Sequence, residues 1–381
     1  MEELDSYYKP TNWNYNIPYI PFYKKPKSYE IACMLFENCN LNCKFCFETH
    51  INKKIDLEYI KEIPNILASN FKKEYTKNPT IEKVYLMLWG GEIFYDALKD
   101  EVFDTYYIFI DKINNIFKEE FPKVKVIFSW LSNGVFSNKE RVRKVVEYSK
   151  GIINFSYDPI NRFKTKNQLN QMFSSAKYFK ALGYGDKISI TLTKDSIKAF
   201  ITMDTKLKQF NDMGYNIDVN YYIANPNWKS LLPSDEEIYS FFNWGLDNKL
   251  FNCKVIEKLI EVSLNNKVSH YCDCKYCSQI TNGEWSVDCA KCSSVLAPHF
   301  FYGKYTDRIT EENVNEIKAC MGLFKRGCLT CDYYENCQMF CWIAIIFNGF
   351  IPTICPYKKL YEKIKNDQNI IKDYLTWKNI K

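Results

Sequence analysis

The chain has 381 residues, 46% of them hydrophobic, and a net charge of +6, the balance of a folded protein of one or two domains and not of a disordered tail. No run of 18 apolar residues occurs, and the start, MEELDSYYKPTNW, has no basic segment followed by an apolar one; this argues against a membrane span and a secretory signal, and for the cytoplasm. The basic excess is diluted by acids, its densest patch being Lys24, Lys25 and Lys27, which reads as a solvated segment and not as a nucleic-acid surface.

Residues 1–29, rich in Tyr, Pro and Asn, read as an irregular arm. An alternation of short apolar runs and helical patterns then fills residues 30–250. The expected strands are Ile31–Phe36, Val84–Trp89, Val124–Leu131, Ile152–Tyr157, Lys187–Thr193 and Ile217–Ile223, each closed by turn residues. Leu57–Phe71, Asp96–Glu120, Asn138–Lys150, Gln168–Leu182, Asp204–Met213 and Asp235–Asn248 place apolar residues at i, i+3, i+4 and are expected to be helices. Six strands alternating with six helices imply parallel βα units, an α/β fold whose ligands bind at the C-terminal ends of the strands. Four clusters fall at such ends: a cysteine loop, Gly90-Gly91-Glu92, Ser132-Asn133, and Ser156 with Asp158.

The texture changes after about residue 250. Twelve of the 16 cysteines lie between Cys253 and Cys355, so 251–356 is expected to be a second, cysteine-dense module held by metal sites more than by apolar burial. Residues 357–381 close the chain as a helix, with Leu360, Ile364, Ile371 and Leu375 at near-helical spacing.

The stretch CNLNCKFCFE carries Cys39, Cys43 and Cys46 in a C-x3-C-x2-C spacing. In a chain without a secretory signal such clusters are metal ligands or reactive thiols before they are disulfides. A structural zinc site needs four protein ligands. No fourth cysteine follows within twenty residues, and Cys33 lies inside a predicted strand. Three thiolates on one loop suit three irons of a cubane, with the fourth iron left open.

With Phe45 just before the last cysteine, and with the loop following the first strand, this pattern resembles the radical S-adenosylmethionine (SAM) superfamily, for which a partial (β/α)6 TIM-like barrel is expected. The resemblance implies that SAM chelates the open iron of a [4Fe–4S] cluster held by Cys39, Cys43 and Cys46, and that reductive cleavage gives methionine and a 5′-deoxyadenosyl radical that abstracts hydrogen from a substrate. Gly90, Gly91 and Glu92 resemble the family's GGE motif, whose backbone and carboxylate bind the SAM amino group. Ser132 and Asn133 resemble its third-strand motif. Ser156 and Asp158 resemble the S-x-D-G segment of the peptide-modifying branch, with Pro159 in place of the glycine. Arg162 is a candidate for the SAM carboxylate or ribose, and Phe45 is expected beside the adenine, with Asn40 and Leu41 only shaping the loop.

The C-terminal cysteines resemble the SPASM extension of peptide-modifying radical SAM enzymes, including peptide maturases and anaerobic sulfatase maturases: Cys328-x2-Cys331-x5-Cys337-x3-Cys341, then Cys355. The resemblance implies two auxiliary [4Fe–4S] clusters and so three clusters in all. One would be held by Cys328, Cys331, Cys337 and Cys355, and the other by Cys272, Cys277, Cys289 and Cys341. Five residues, not four, separate Gly283 from Cys289; Cys292 therefore competes with Cys289, as Cys274 does with Cys272.

The resemblance points to an oxidoreductase that modifies a ribosomal peptide or protein side chain by hydrogen abstraction, leaving a thioether, a crosslink or another oxidation, and that draws electrons from a partner such as flavodoxin or ferredoxin. Epimerisation, with a spare thiol such as Cys33 as hydrogen donor, and dehydrogenation of a small aminosugar or alcohol are the alternatives. Ala290 after Cys289 offers no carboxylate resembling the sulfatase-maturase base, which disfavours that activity. The arm of about 29 residues is too short for a winged-helix leader-binding domain. No catalytic acid, base or hydrogen donor is assigned.

Overall fold

Six apolar runs become six parallel strands: β1 (Ser28–Met34), β2 (Lys83–Trp89), β3 (Lys125–Ser132), β4 (Ile152–Tyr157), β5 (Gly185–Leu192) and β6 (Asn216–Tyr221). The computed structural model describes residues 27–46, 53–203, 205–222, 226–266, 277–281, 284–287, 331–333 and 355–380. Between the strands run α1 (Leu57–Lys77), α2 (Asp100–Glu120), α3 (Lys139–Tyr148), α4 (Lys166–Ala181), α5 (Lys194–Thr202) and α6 (Lys206–Asp212), and α7 (Asp235–Asp247) follows β6. Short polar side chains set several of their starts. Asp56, Asn138, Thr165, Thr193 and Ser234 each accept a backbone N–H of the first turn, satisfying donors that the helix itself leaves open.

The sheet order is β6-β5-β4-β3-β2-β1, with every one of these pairs parallel. Each strand lies beside its predecessor, so the crossovers all advance in one direction and their right-handedness puts the helices on one face. The twisted sheet then curls into a half-barrel. Alternation along the strands separates its two faces. Outward, Ile31, Leu86, Trp130, Phe155, Ile190 and Val219 are essentially inaccessible and join Phe71, Phe109 and Ile113 of the helices in the main core. Inward, Ala32, Met34 and Trp89 form a small separate apolar cluster with Met87 and Leu131.

Beyond β1 the sheet continues with β7 (Cys277–Thr281), parallel to β1, and β8 (Glu284–Val287), antiparallel to β7. β1, which leads into the cysteine loop, is therefore flanked on both sides. At the other edge, Ile217 bridges Cys253, and α8 (Lys254–Ser263) packs against β6 and the C-terminal α9 (Pro356–Asn366).

Several elements differ from the sequence reading. The helix expected from Asp96 begins at Asp100, because the Asp96 carboxylate instead accepts the Ser137 N–H at 2.8 Å across the rim. The single C-terminal helix is two, α9 and α10 (Gln368–Ile380), broken at Asp367, whose side chain accepts the Asn369 N–H and so starts the second. Helices α5 and α8 were not expected at all. Among the described residues no helix is long and apolar enough to cross a membrane.

Candidate functional site

The hydrogen-bond ladder between β1 and β2 does not stop at the strand ends. Leu35 N–H donates to Trp89 O at 2.8 Å, Gly91 N–H to Phe36 O at 3.0 Å and Glu92 N–H to Asn38 O at 2.8 Å. The approach to the cysteine loop thus runs side by side with Gly90-Gly91-Glu92. A Cβ on Gly90 would lie 2.3 Å from Phe36 O, and one on Gly91 2.2 Å from Glu37 O and 2.3 Å from Asn38 O. The close neighbour that demands glycine here is the main chain leading to Cys39.

Glu92 is buried, with 1% of its surface exposed. Its Oε1 accepts Ser132 Oγ–H at 2.8 Å and Phe94 N–H at 2.9 Å, and its Oε2 accepts Asn133 N–H at 2.5 Å. Burial pushes the carboxyl up to about 7, against the pull of these donors and of the Arg162 charge. The carboxylate expected to face the SAM amino group therefore has both oxygens engaged by the chain and ties the β2 exit to the β3 exit.

Asn133 extends the tie to the cysteine loop. Its Oδ1 accepts Val135 N–H at 2.8 Å, and its Nδ2 donates to Asn40 Oδ1 at 2.8 Å and lies 4.0 Å from Cys39 Sγ. Asn40 Nδ2 donates in turn to Val135 O at 2.8 Å, so Asn40 does more than shape its loop. Leu41 N–H also points at Cys39 Sγ, at 3.4 Å, and Cys46 N–H closes a turn on Cys43 O at 3.1 Å.

The β4 exit is built differently. Asp158 is fully buried. Its Oδ1 accepts Ile160 N–H at 2.8 Å and Asn161 N–H at 2.5 Å, an Asx-type turn around Pro159. Its Oδ2 has no hydrogen-bond partner among the described residues, and neither has the buried Nε of Arg162. Burial raises the Asp158 carboxyl, opposed by the Asn161 and Ile160 N–H groups and then by Arg162. The Arg162 guanidinium carbon stands 5.2 Å from the centre of the Phe45 ring, near enough for a cation–π contact. Phe45 also packs on Tyr222 and Leu231, so the cysteine loop reaches from β1 across the mouth to residues beyond β6. Ser156 stands two residues before Asp158 in register with Ser189 of β5, on the opposite face from the buried Phe155 and Tyr157.

The structure thus gathers the predicted residues into two groups: Cys39, Gly90, Gly91, Glu92, Ser132 and Asn133 in one, Phe45, Asp158 and Arg162 in the other. Sequence reading gave Asn40 only a loop-shaping part and passed over Asn161 and Thr193; Asn161 Nδ2 donates to Thr193 Oγ1 at 3.2 Å and joins the β4 and β5 exits. Its position just after an Asp-Pro turn was the available signal for Asn161; nothing local marked Thr193, whose partner lies on another strand. Cys33 sits in the outer core with 0% exposure, and burial raises its thiol pKa. Facing the helices, it cannot reach the barrel mouth as a hydrogen donor.

The residues fit a polar cofactor and a cluster. A buried carboxylate oxygen and a buried guanidinium nitrogen have no partner among the described residues, and the guanidinium meets Phe45 on the loop that carries the three thiols. Among the described residues no three His, Cys, Asp or Glu side chains are placed to hold a single metal ion; thiolates on separate irons of a cubane need not converge on one point. Of the auxiliary candidates, Cys272, Cys289, Cys341, Cys328 and Cys337 lie outside the described residues, as do Cys274, Cys292, Gly283 and residues 1–26 of the arm. The main chain of Cys277 opens β7 opposite Glu30. Cys331 and Cys355 are half-buried at the edge of the core, Cys355 just before α9.

No protein-family model matches the chain, and no curated protein matches it. Solved structures do. The structure of native anSMEcpe, an anaerobic sulfatase-maturating enzyme, with bound AdoMet and Cp18Cys peptide superposes with a TM-score of 0.57 at 14% identity, over 92% of this chain and 100% of that one. Hexahistidine-tagged anSMEcpe with bound AdoMet gives 0.58 at 14% identity, over 92% and 96%. Native anSMEcpe with AdoMet and Kp18Cys peptide gives 0.58 at 14% identity, over 92% and 99%. This chain therefore has the fold of the anSMEcpe structures, with its six parallel strands as their half-barrel.

Proposed function

We propose that this chain is a radical SAM enzyme that modifies a peptide or protein substrate by hydrogen abstraction. The observation that carries the reading is the two-part rim. A cysteine loop is bolted to the β2 and β3 exits by hydrogen bonds, and at the β4 exit, where Arg162 meets Phe45 of that loop, Asp158 and Arg162 present buried polar atoms with no partner among the described residues. The anSMEcpe structures, which share the fold, hold AdoMet and in two cases a peptide, which supports the same ligand classes here.

Cys39, Cys43 and Cys46 would hold a [4Fe–4S] cluster. Asp158, Arg162 and Phe45 would receive SAM, with Ser156 on the inner wall below them. Gly90 and Gly91 carry the main chain past the loop, and Glu92, Ser132 and Asn133 keep the exits in register. When bound, the reduced cluster supplies the electron that cleaves SAM to methionine and a 5′-deoxyadenosyl radical. The chain's own part is to hold the loop, exclude water with the apolar cluster of Met34 and Trp89, and orient the substrate above it. The module spanning 251–356 would carry two further clusters, on Cys328, Cys331, Cys337 and Cys355 and on Cys272, Cys277, Cys289 and Cys341. A cytoplasmic setting, with flavodoxin or ferredoxin as reductant, completes the proposal.

The test is anaerobic reconstitution with iron and sulfide, followed by dithionite and SAM. Wild type is expected to release 5′-deoxyadenosine, and the variant with Cys39, Cys43 and Cys46 all replaced by alanine none; product from that variant would show the assignment wrong. Incubation with a short peptide encoded beside the gene is expected to remove two hydrogens per modified site by mass spectrometry. A mass unchanged in ordinary water, with one hydrogen replaced by deuterium when the reaction is run in deuterium oxide, would point to epimerisation instead, and turnover of only small alcohols to the dehydrogenase.

A further inference from the structure

We propose that Asn40 and Asn133 form an amide clamp, anchored by the Glu92 carboxylate, that fixes the Cys39 corner of the loop and donates to its sulfur, so that these residues position and tune the cluster and do not contact SAM. The inference rests on the radical SAM reading above.

Each link is on one line of contacts. Glu92 Oε2 holds the Asn133 main chain at 2.5 Å, and its Oε1 holds Ser132 Oγ at 2.8 Å. Ser132 Oγ in turn accepts Gly134 N–H at 3.0 Å, so the turn carrying Asn133 is pinned from both ends. The Asn133 side chain is then fully committed: Oδ1 to Val135 N–H, one Nδ2 hydrogen to Asn40 Oδ1, and the other toward Cys39 Sγ. Asn40 closes the ring through Val135 O. Asn40 immediately follows Cys39, so this ring ties the first ligand's peptide to β3. Each polar atom of the two amides already has a partner in the chain, whereas Asp158 Oδ2 and Arg162 Nε have none among the described residues.

The chemistry follows from the sulfur contacts. A thiolate that ligates iron carries negative charge, and one more electron on the cluster increases it. N–H dipoles aimed at the sulfur stabilise the reduced state more than the oxidised one and raise the reduction potential. Two donors point at Cys39 Sγ, the Leu41 amide at 3.4 Å and the Asn133 amide at 4.0 Å; removing the side-chain donor lowers the potential, and removing Asn40 loosens its aim.

The experiment compares full-length wild type, Asn133→Ala and Asn40→Ala after anaerobic reconstitution. The SAM-binding cluster is identified as the paramagnetic signal whose g-values change on adding SAM, and its midpoint potential is read by redox titration. Asn133→Ala is expected to shift that potential to more negative values and to lower 5′-deoxyadenosine formation by about tenfold, with the dissociation constant for SAM changed by less than about threefold. Asn40→Ala, which leaves the Glu92 anchor intact, is expected to shift the potential in the same direction and by less. Loss of iron from either variant with the fold retained by circular dichroism is the stronger form of the same result. Unchanged potentials in both variants, or SAM binding weakened tenfold or more at an unchanged potential, overturn the clamp and leave the radical SAM reading standing. A wild-type cluster indifferent to SAM overturns that reading, and the clamp with it.

Discussion

The exits of β2 and β4 carry the same kind of residue, a buried carboxylate one to three residues past a parallel strand, and treat it in opposite ways. Glu92 is satisfied by Ser132, Asn133 and Phe94. Asp158 spends one oxygen on its own turn and leaves the other without a partner among the described residues, with an Arg162 nitrogen nearby in the same condition. A buried acceptor or donor left unmade costs about 1–3 kcal/mol, and here two of them, one acceptor and one donor, stand together at a strand exit. Among the described residues the chain itself completes the first carboxylate and leaves the second open, a difference that resemblance to a motif does not reveal and the hydrogen bonds do.

The contrast is best broken at its ends. Glu92→Ala would strand three donors in the interior and is expected to cost about 3 kcal/mol or more of stability, read as a drop in the urea midpoint. A loss below about 1 kcal/mol would remove Glu92 from the scaffold. The next effect is a pH dependence. With its folded pKa near 7 and an ordinary value of 4.5, Glu92 binds more protons folded than unfolded between those two values. Stability of the metal-free protein therefore falls as pH rises from about 4.5 to about 7, by roughly 3 kcal/mol in all. The raised Asp158 carboxyl acts in the same direction, so the slope should diminish, and not vanish, in Glu92→Gln.

Asp158→Asn should show the opposite profile. The Asn oxygen can keep the turn to Ile160 and Asn161, so unfolding is expected to move by about 1 kcal/mol or less, while SAM binding by calorimetry weakens about tenfold or more, the worth of one charged hydrogen bond. Equal and large losses of stability at Asp158 and Glu92 would erase the distinction between the two exits. The smallest effect belongs to Cys33→Ala. It trims one sulfur from the outer core, costs about 1 kcal/mol, and leaves the yield of 5′-deoxyadenosine as in wild type; a lost yield would put this thiol back in the mechanism.

Much of the scaffold is legible in the sequence. The β4 strand was read to the residue, Ile152–Tyr157, because an uninterrupted apolar run ended at Asp-Pro. Helix α7 began as expected at Asp235, where Ser234 and Glu237 form a capping box. The start of α2 was misplaced because Asp96 bonds to Ser137, 41 residues away, and α8 was absorbed into the cysteine-rich module although its Val255, Ile256, Leu259 and Ile260 belong to the main core. Local pattern could not tell a helix of this sheet from one of the next module.

The sequence by itself determined the rim: three thiols on one loop, an alternation that forces parallel strands, and polar turns at their C-terminal ends. These are matters of spacing within a few residues. Only the tertiary structure decided which of those polar groups are already spoken for. Glu92 meets Asn133 across 41 residues, and Asn40 meets Val135 across 95. Whether a buried polar atom is complete depends on partners that only the folded sheet brings together, and that completeness is what separates the proposed clamp around Cys39 from the proposed ligand seat at Asp158 and Arg162.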